Sequence, residues 1–145
     1  MNQVKQILIF RSWVQDASAG TCFDNDKILQ EYIVRACCGY INGLSFDKSI
    51  FIEFALQISM HGEYDPKKTR LVADCGLVQH VIFGDTVDQF VHQSMLAAYA
   101  HLSHSLYEVN HHTDRLLAYS FSDVNILLGN MRRDWGTGAN LLIDV

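Results

Sequence analysis

The sequence predicts an all-α fold, a single domain over residues 1–145 built from five or six antiparallel helices. Three observations predict it. Apolar residues recur at i, i+3, i+4 over most of the chain. Helix stop and start signals, mostly Gly, Asp and Ser, separate the periodic segments. There is one proline and no low-complexity run, so little of the chain reads as linker. No internal repeat at a fixed period is present.

Residues 4–14 open the chain ambiguously, because Ile7 to Phe10 is a continuous apolar run that suits a helix or a strand. Trp13, inside that apolar stretch, is a core candidate. Asp24 or Asn25 then caps a helix to about Ile41, whose stripe is Ile28, Leu29, Tyr32, Ile33, Ala36, Cys37 and Tyr40. Asn42-Gly43 ends it, since glycine takes φ > 0 without a Cβ clash. A second helix runs from after Asp47 to near His61, on Ile50, Phe51, Phe54, Ala55 and Ile58. Asp65-Pro66 starts a third: an acceptor at the N-cap, then proline at the first helical position, where its missing N–H is not needed. That helix carries Leu71, Val72, Cys75, Val78 and Ile82 and stops at Gly84. Its first turn holds Lys67, Lys68 and Arg70, the unfavourable end of the macrodipole, which marks them as contact candidates.

Thr86-Val87-Asp88-Gln89 matches a capping box. A long fourth helix to about His111 is expected behind it, on Val91, Met95, Ala98, Leu102, Leu106 and Val109. Ser122 caps a fifth through Ile126, Leu127 and Met131 to about Arg133. Leu116 to Phe121 and residues 141–145 are too short to assign, so a short strand at either terminus stays open.

Charge is unevenly placed. From Leu71 to Asp114 the chain runs 44 residues without Lys or Arg, while holding Asp74, Asp85, Asp88, Glu108, Asp114 and six of the seven histidines. Residues 1–70 carry eight acids and eight bases; residues 71–145 carry eight acids and three bases, which is the whole net charge of −5. A one-signed surface attracts a partner of opposite sign. It argues against direct nucleic-acid binding, which needs clustered Lys and Arg. The plain alternative is a solvated acidic face that keeps the domain soluble.

Ile7 to Phe10 is too short for a signal peptide and Arg11 interrupts it, and no run of about 18 uncharged apolar residues is present. The expected location is the cytoplasm, with no membrane partner. Cys22, Cys37, Cys38 and Cys75 form no C-x-x-C and read as reduced, buried thiols. Gly-x-Ser-x-Gly, Walker A and dinucleotide fingerprints are absent, so no catalytic residue and no cofactor is assigned.

Two features remain. On one continuous fourth helix, His101, His104, Glu108, His111 and His112 fall within an arc of about 100° opposite the apolar stripe. That face reads as a solvated helix end, a pH-sensitive contact surface or a metal site. Glu108-x-x-His111 has the spacing of di-iron bundles but no second copy exists in the chain. Arg132 to Gly138 sets Arg and Trp135 beside glycines, as an interface anchor or as a staple for the last helix.

A small acidic chain without catalytic motifs is the type of protein that neutralises a basic enzyme by covering its cleft. Bacterial immunity proteins and antitoxins against nuclease toxins are of this type, and the likeness is one of type and not of motif. The expectation is thus an acidic module that binds a basic protein partner, such as a nuclease toxin. Its contacts are assigned to Asp85, Asp88, His104, Glu108, Asp114 and Trp135. Two alternatives stand beside it: a metal-dependent helical enzyme using His101, His104, Glu108 and His111, and a self-associating module or homodimer, suggested by a 49% apolar composition.

Overall fold

Gln6, Phe10, Val14 and Ala17 recur every three or four residues and are all buried, which makes the opening segment a helix and not a strand. The computed structural model describes residues 3–43, 47–61, 65–105 and 109–143. Within them lie seven α-helices: α1 (Gln3–Ser18), α2 (Lys27–Ile41), α3 (Ser49–His61), α4 (Pro66–Phe83), α5 (Gln89–Ser103), α6 (His111–Tyr119) and α7 (Phe121–Ile143). A 3₁₀ turn at Gly84–Thr86 joins α4 to α5. No strand occurs among the described residues, so the chain has seven helices there where five or six were expected, and the strand left open at either end is not found.

One hydrophobic cluster draws on every helix, from Phe10 in α1 through Leu29, Phe51, Leu77 and Met95 to Leu117 and Leu127. Helix α4 is its axis and packs against α2, α3, α5 and α7. It lies closest to α5 at Gly76: a Cβ there would meet Met95 Cβ at 2.6 Å. Helix α1 rests on α2 and α7, and α6 closes the far side against α5.

Several boundaries follow the local chemistry read from the sequence. The Asp65 carboxylate accepts from Lys67 N–H at 2.9 Å, Pro66 fills the first turn, and Gly84 (φ 59°) returns its N–H to the His80 carbonyl. Asn42 caps α2 and Gly43 follows at φ 132°. At the other end of α2 the cap is Asp26, whose carboxylate accepts from Leu29 N–H at 3.0 Å, and not Asp24 or Asn25. Ile28, counted in the α2 stripe, is 66% exposed.

Three expectations about the second half are corrected. The capping box at Thr86 does not form: Thr86 Oγ1 donates to Phe83 O within the 3₁₀ turn, and Asp88 caps α5 through Phe90 N–H at 2.8 Å. The long fourth helix is two helices. The α5 stripe of Val91, Met95, Ala98 and Leu102 is buried as expected, but α5 ends at Ser103 and Val109 is 92% exposed. His104 N–H turns back to His101 O, and His111 Nδ1 lies 3.2 Å from Ser103 O, which satisfies one of the last carbonyls. Finally, α7 runs ten residues past Arg133 despite Gly136 and Gly138. Tertiary packing overrides glycine's helix penalty there, because Trp135 meets Phe10 and Tyr40 with centroids 5.1 and 6.1 Å apart. Gly138 lets Trp13 approach to 2.6 Å of where a Cβ would stand.

Candidate functional site

A buried polar network ties four helices together. Arg70 of α4 makes a bidentate pair with Asp114 of α6, Nη1 to Oδ1 at 2.5 Å and Nη2 to Oδ2 at 2.9 Å. The same Nη1 donates to Tyr32 Oη of α2 at 2.7 Å. Tyr32 in turn donates to Asp74, which also accepts from Tyr99 of α5 at 3.0 Å. Burial lifts the Asp74 carboxyl to about 6, against the opposing pull of Tyr32, Arg70 and Tyr99. Every hydrogen bond in this set runs between helices, so its role is to hold α2, α4, α5 and α6 in register.

This network removes Asp114 from the expected contact set. Its side chain is fully buried and both carboxylate oxygens are taken by Arg70. It also accounts for part of the basic first turn of α4: Arg70 is a fold residue, and Lys68 pairs with Glu53 of α3 at 2.7 Å.

The other assigned contacts do not share one face. Asp85 is exposed in the 3₁₀ turn, and Asp88 is exposed at the cap of α5 with Lys48 Nζ 2.8 Å from its Oδ2. His104 is exposed at the opposite end of α5, about 24 Å away at 1.5 Å per residue. Glu108 lies outside the described residues. Trp135 is half-buried among Phe10, Trp13 and Tyr40, so the staple describes it better than the anchor. The histidine face is divided in the same way: His101 and His104 end α5, while His111 and His112 begin α6. The metal-enzyme alternative required a single helix there. Among the described residues no group of three or more His, Cys, Asp or Glu is placed to hold a metal ion. None of the four cysteines is in a disulfide; Cys37 and Cys75 are buried as expected, whereas Cys38 is half-buried and Cys22 is exposed.

An open cavity lies where two corners meet, the α4–α5 turn and the α6–α7 turn. It measures about 440 Å³. Gly84, Asp85, Val87 and Gln89 line one side; Ala118, Tyr119, Phe121, Ser122 and Asn125 line the other; His80, His92 and Leu96 complete it. His80 Nε2 and His92 Nδ1 stand 3.1 Å apart, so one ring donates and the other accepts. Phe121 packs edge-on against both rings, with centroids at 4.7 and 5.4 Å. Burial, reinforced by His92 and Arg132, drops the His80 imidazole to about 4, so it is neutral at pH 7. Arg132 is not part of the lining: its Nη2 donates to His80 O at 3.1 Å, and its guanidinium packs on Gly84, where a Cβ would stand 2.1 Å from Cζ.

Asp85 is the one Asp, Glu, Lys or Arg in the lining, and it forms no ion pair there among the described residues. Asn125 Oδ1 is buried beside the cavity without a hydrogen-bond partner among the described residues. Neither imidazole is hydrogen-bonded to a carboxylate or a hydroxyl among the described residues, so no nucleophile–base–orienter chain is assembled.

Sequence reasoning reached Asp85 and Asp88 but missed His80, His92, Tyr119 and Asn125. A signal for the histidine pair existed. His80 sits four residues before the Gly84 stop and His92 four after the Asp88 cap, which places both one helical turn from the same corner. Comparison with protein-family models, with characterised proteins and with solved structures found no match to this chain. No helix among the described residues is long and apolar enough to cross a membrane.

Proposed function

We propose that the protein is an acidic binding module that neutralises a basic partner enzyme by covering its cleft, in the manner of an immunity protein or antitoxin acting on a nuclease toxin. The observation that carries this reading is the α4–α5 corner. Asp85 and Asp88 stand exposed there, three residues apart, at the edge of a cavity whose lining contains no Lys or Arg. Residues 71–145 hold the whole net charge of −5; at that corner Lys48 pairs with Asp88 and Arg132 packs on Gly84, which leaves Asp85, with no ion pair among the described residues, as the carboxylate open to a basic surface. A nuclease cleft is such a surface, because it must hold a phosphate backbone.

The contact set is narrower than the sequence suggested. Asp85 and Asp88 form its centre, and exposed Tyr119 supplies an aromatic contact of the kind enriched at interface hot spots. Asp114 and Trp135 act inside the fold. The test is a pull-down from source-cell lysate, with the wild-type chain and with Asp85→Lys, Asp88→Lys as baits, at low and at raised salt. The captured protein is then titrated for enzymatic activity against the module. A basic partner, retained by wild type alone, released by salt and silenced at one-to-one stoichiometry is the expected result. An acidic partner, or one that both baits hold equally, overturns the proposal.

A further inference from the structure

The cavity at the α4–α5 corner combines three things that a single side-chain type needs. Its wall is apolar at Val87, Leu96 and Phe121, which suits a chain of methylenes. Tyr119, 62% exposed, stands at its margin with a ring free to take a flat cation on its face. Its one carboxylate is that of Asp85, exposed and without an ion pair among the described residues.

We propose that this cavity receives an arginine side chain of the basic partner, with the guanidinium paired to Asp85 and lying against Tyr119. The inference rests on the binding-module reading and specifies where that module recognises its partner. A guanidinium is planar, presents parallel N–H donors that match both oxygens of a carboxylate, and is less strongly hydrated than an ammonium, so it is the better cation for a half-apolar site. The volume of about 440 Å³ is within the range of ligand sites and ample for one side chain. Asp85 is the one carboxylate facing the guanidinium, and no Lys or Arg lines the cavity. Gln89 and Ser122 offer further acceptors, and the His80–His92 pair shares a proton between its rings and is backed by Phe121. The like charge of Arg132 is held on the His80 carbonyl and outside the lining.

The test uses the full chain and N-acetyl-arginine methylamide as the probe, followed by backbone amide shifts in heteronuclear NMR, with N-acetyl-lysine methylamide as the comparison. The expected result is a saturable set of shifts at Gly84, Asp85, Gln89 and Ser122, with weaker binding of the lysine probe. Asp85→Asn weakens the arginine probe roughly two- to fivefold, since an exposed charge pair is lost. Tyr119→Ala weakens it several-fold. Both residues are exposed, so the spectrum away from the cavity reports directly on whether each variant keeps the fold. No shifts at these amides, shifts unchanged by Asp85→Asn, or equal binding of both probes overturn the inference. Partner capture that persists in the Asp85→Asn, Tyr119→Ala double variant overturns the arginine contact while leaving the binding module intact. Failure of the wild type to capture any basic partner overturns the module instead.

Discussion

Replacing Asp114 by Ala separates a fold residue from a contact residue. The carboxylate is fully buried and takes two hydrogen bonds, at 2.5 and 2.9 Å, from a guanidinium whose side chain keeps 20% of its surface. Removing one member of a buried pair typically costs about 3–5 kcal/mol, because the remaining charge is left without compensation. Arg70 retains its contact with Tyr32 Oη at 2.7 Å and some access to water, which places this case at the lower end, about 3 kcal/mol. For a chain of 145 residues that corresponds to a fall in Tm of about 10 °C. Urea unfolding followed by circular dichroism gives the free energy. A cycle with Arg70→Met isolates the coupling, and the double variant should cost less than the sum of the two single variants, because neither charge of the pair is then left behind. A loss below about 1 kcal/mol, typical of an exposed pair, would refute the buried network and return Asp114 to the surface.

Three further outcomes follow from the packing and the titrations. Asp74 is raised to about 6 by burial, so its favourable contribution is present below its unfolded value of 3.8 and is lost as pH rises through about 6; His80, dropped to about 4 by burial, contributes above its unfolded 6.5 and loses that as pH falls through about 4. Between those values the two slopes oppose, so Asp74→Asn should make stability fall by about 1 kcal/mol more per pH unit from pH 6 to 4 than it does in wild type, measured by urea midpoints, and an unchanged slope contradicts the assignment. Gly76→Ala forces its Cβ to within 2.6 Å of Met95 Cβ and should destabilise by about 1–3 kcal/mol, whereas Gly129→Ala, with nothing within 4 Å, should stabilise by about 1 kcal/mol; thermal melts that show the same sign for both would refute the α4–α5 packing. Trp135→Ala should cost about 3–5 kcal/mol through lost packing on Phe10 and Tyr40 and leave partner capture unchanged once the fold is stabilised; capture lost with the fold intact would restore Trp135 as an anchor.

Much of the architecture was legible because local chemistry and tertiary packing agree there. Asp65-Pro66 and Gly84 bracket α4 as their capping roles require, and Asn42-Gly43 ends α2. The errors come from places where contacts distant in sequence decide. Val109 continued a helical apolar pattern, yet it is exposed, and the chain turns between α5 and α6 where His111 meets the Ser103 carbonyl. Asp114 looked like a surface acid because its partner, Arg70, lies 44 residues away on another helix. The last helix was expected to end near Arg133, and the Trp135 contacts show why α7 continues through Gly136 and Gly138. The candidate site was half legible. Asp85 and Asp88 stood out by charge, while Tyr119 and Asn125 join them only through the meeting of two helix corners.

The central claim is that the α4–α5 corner recruits a basic partner by charge. The most direct measurement is the association rate between the module and the partner it captures, by stopped-flow fluorescence at about 50 and about 500 mM salt. The account predicts a rate that falls by roughly tenfold or more with salt, a dissociation rate that changes far less, and the loss of most of the salt dependence in the Asp85→Lys, Asp88→Lys variant. A rate indifferent to salt, or one that the variant leaves unaltered, would contradict it.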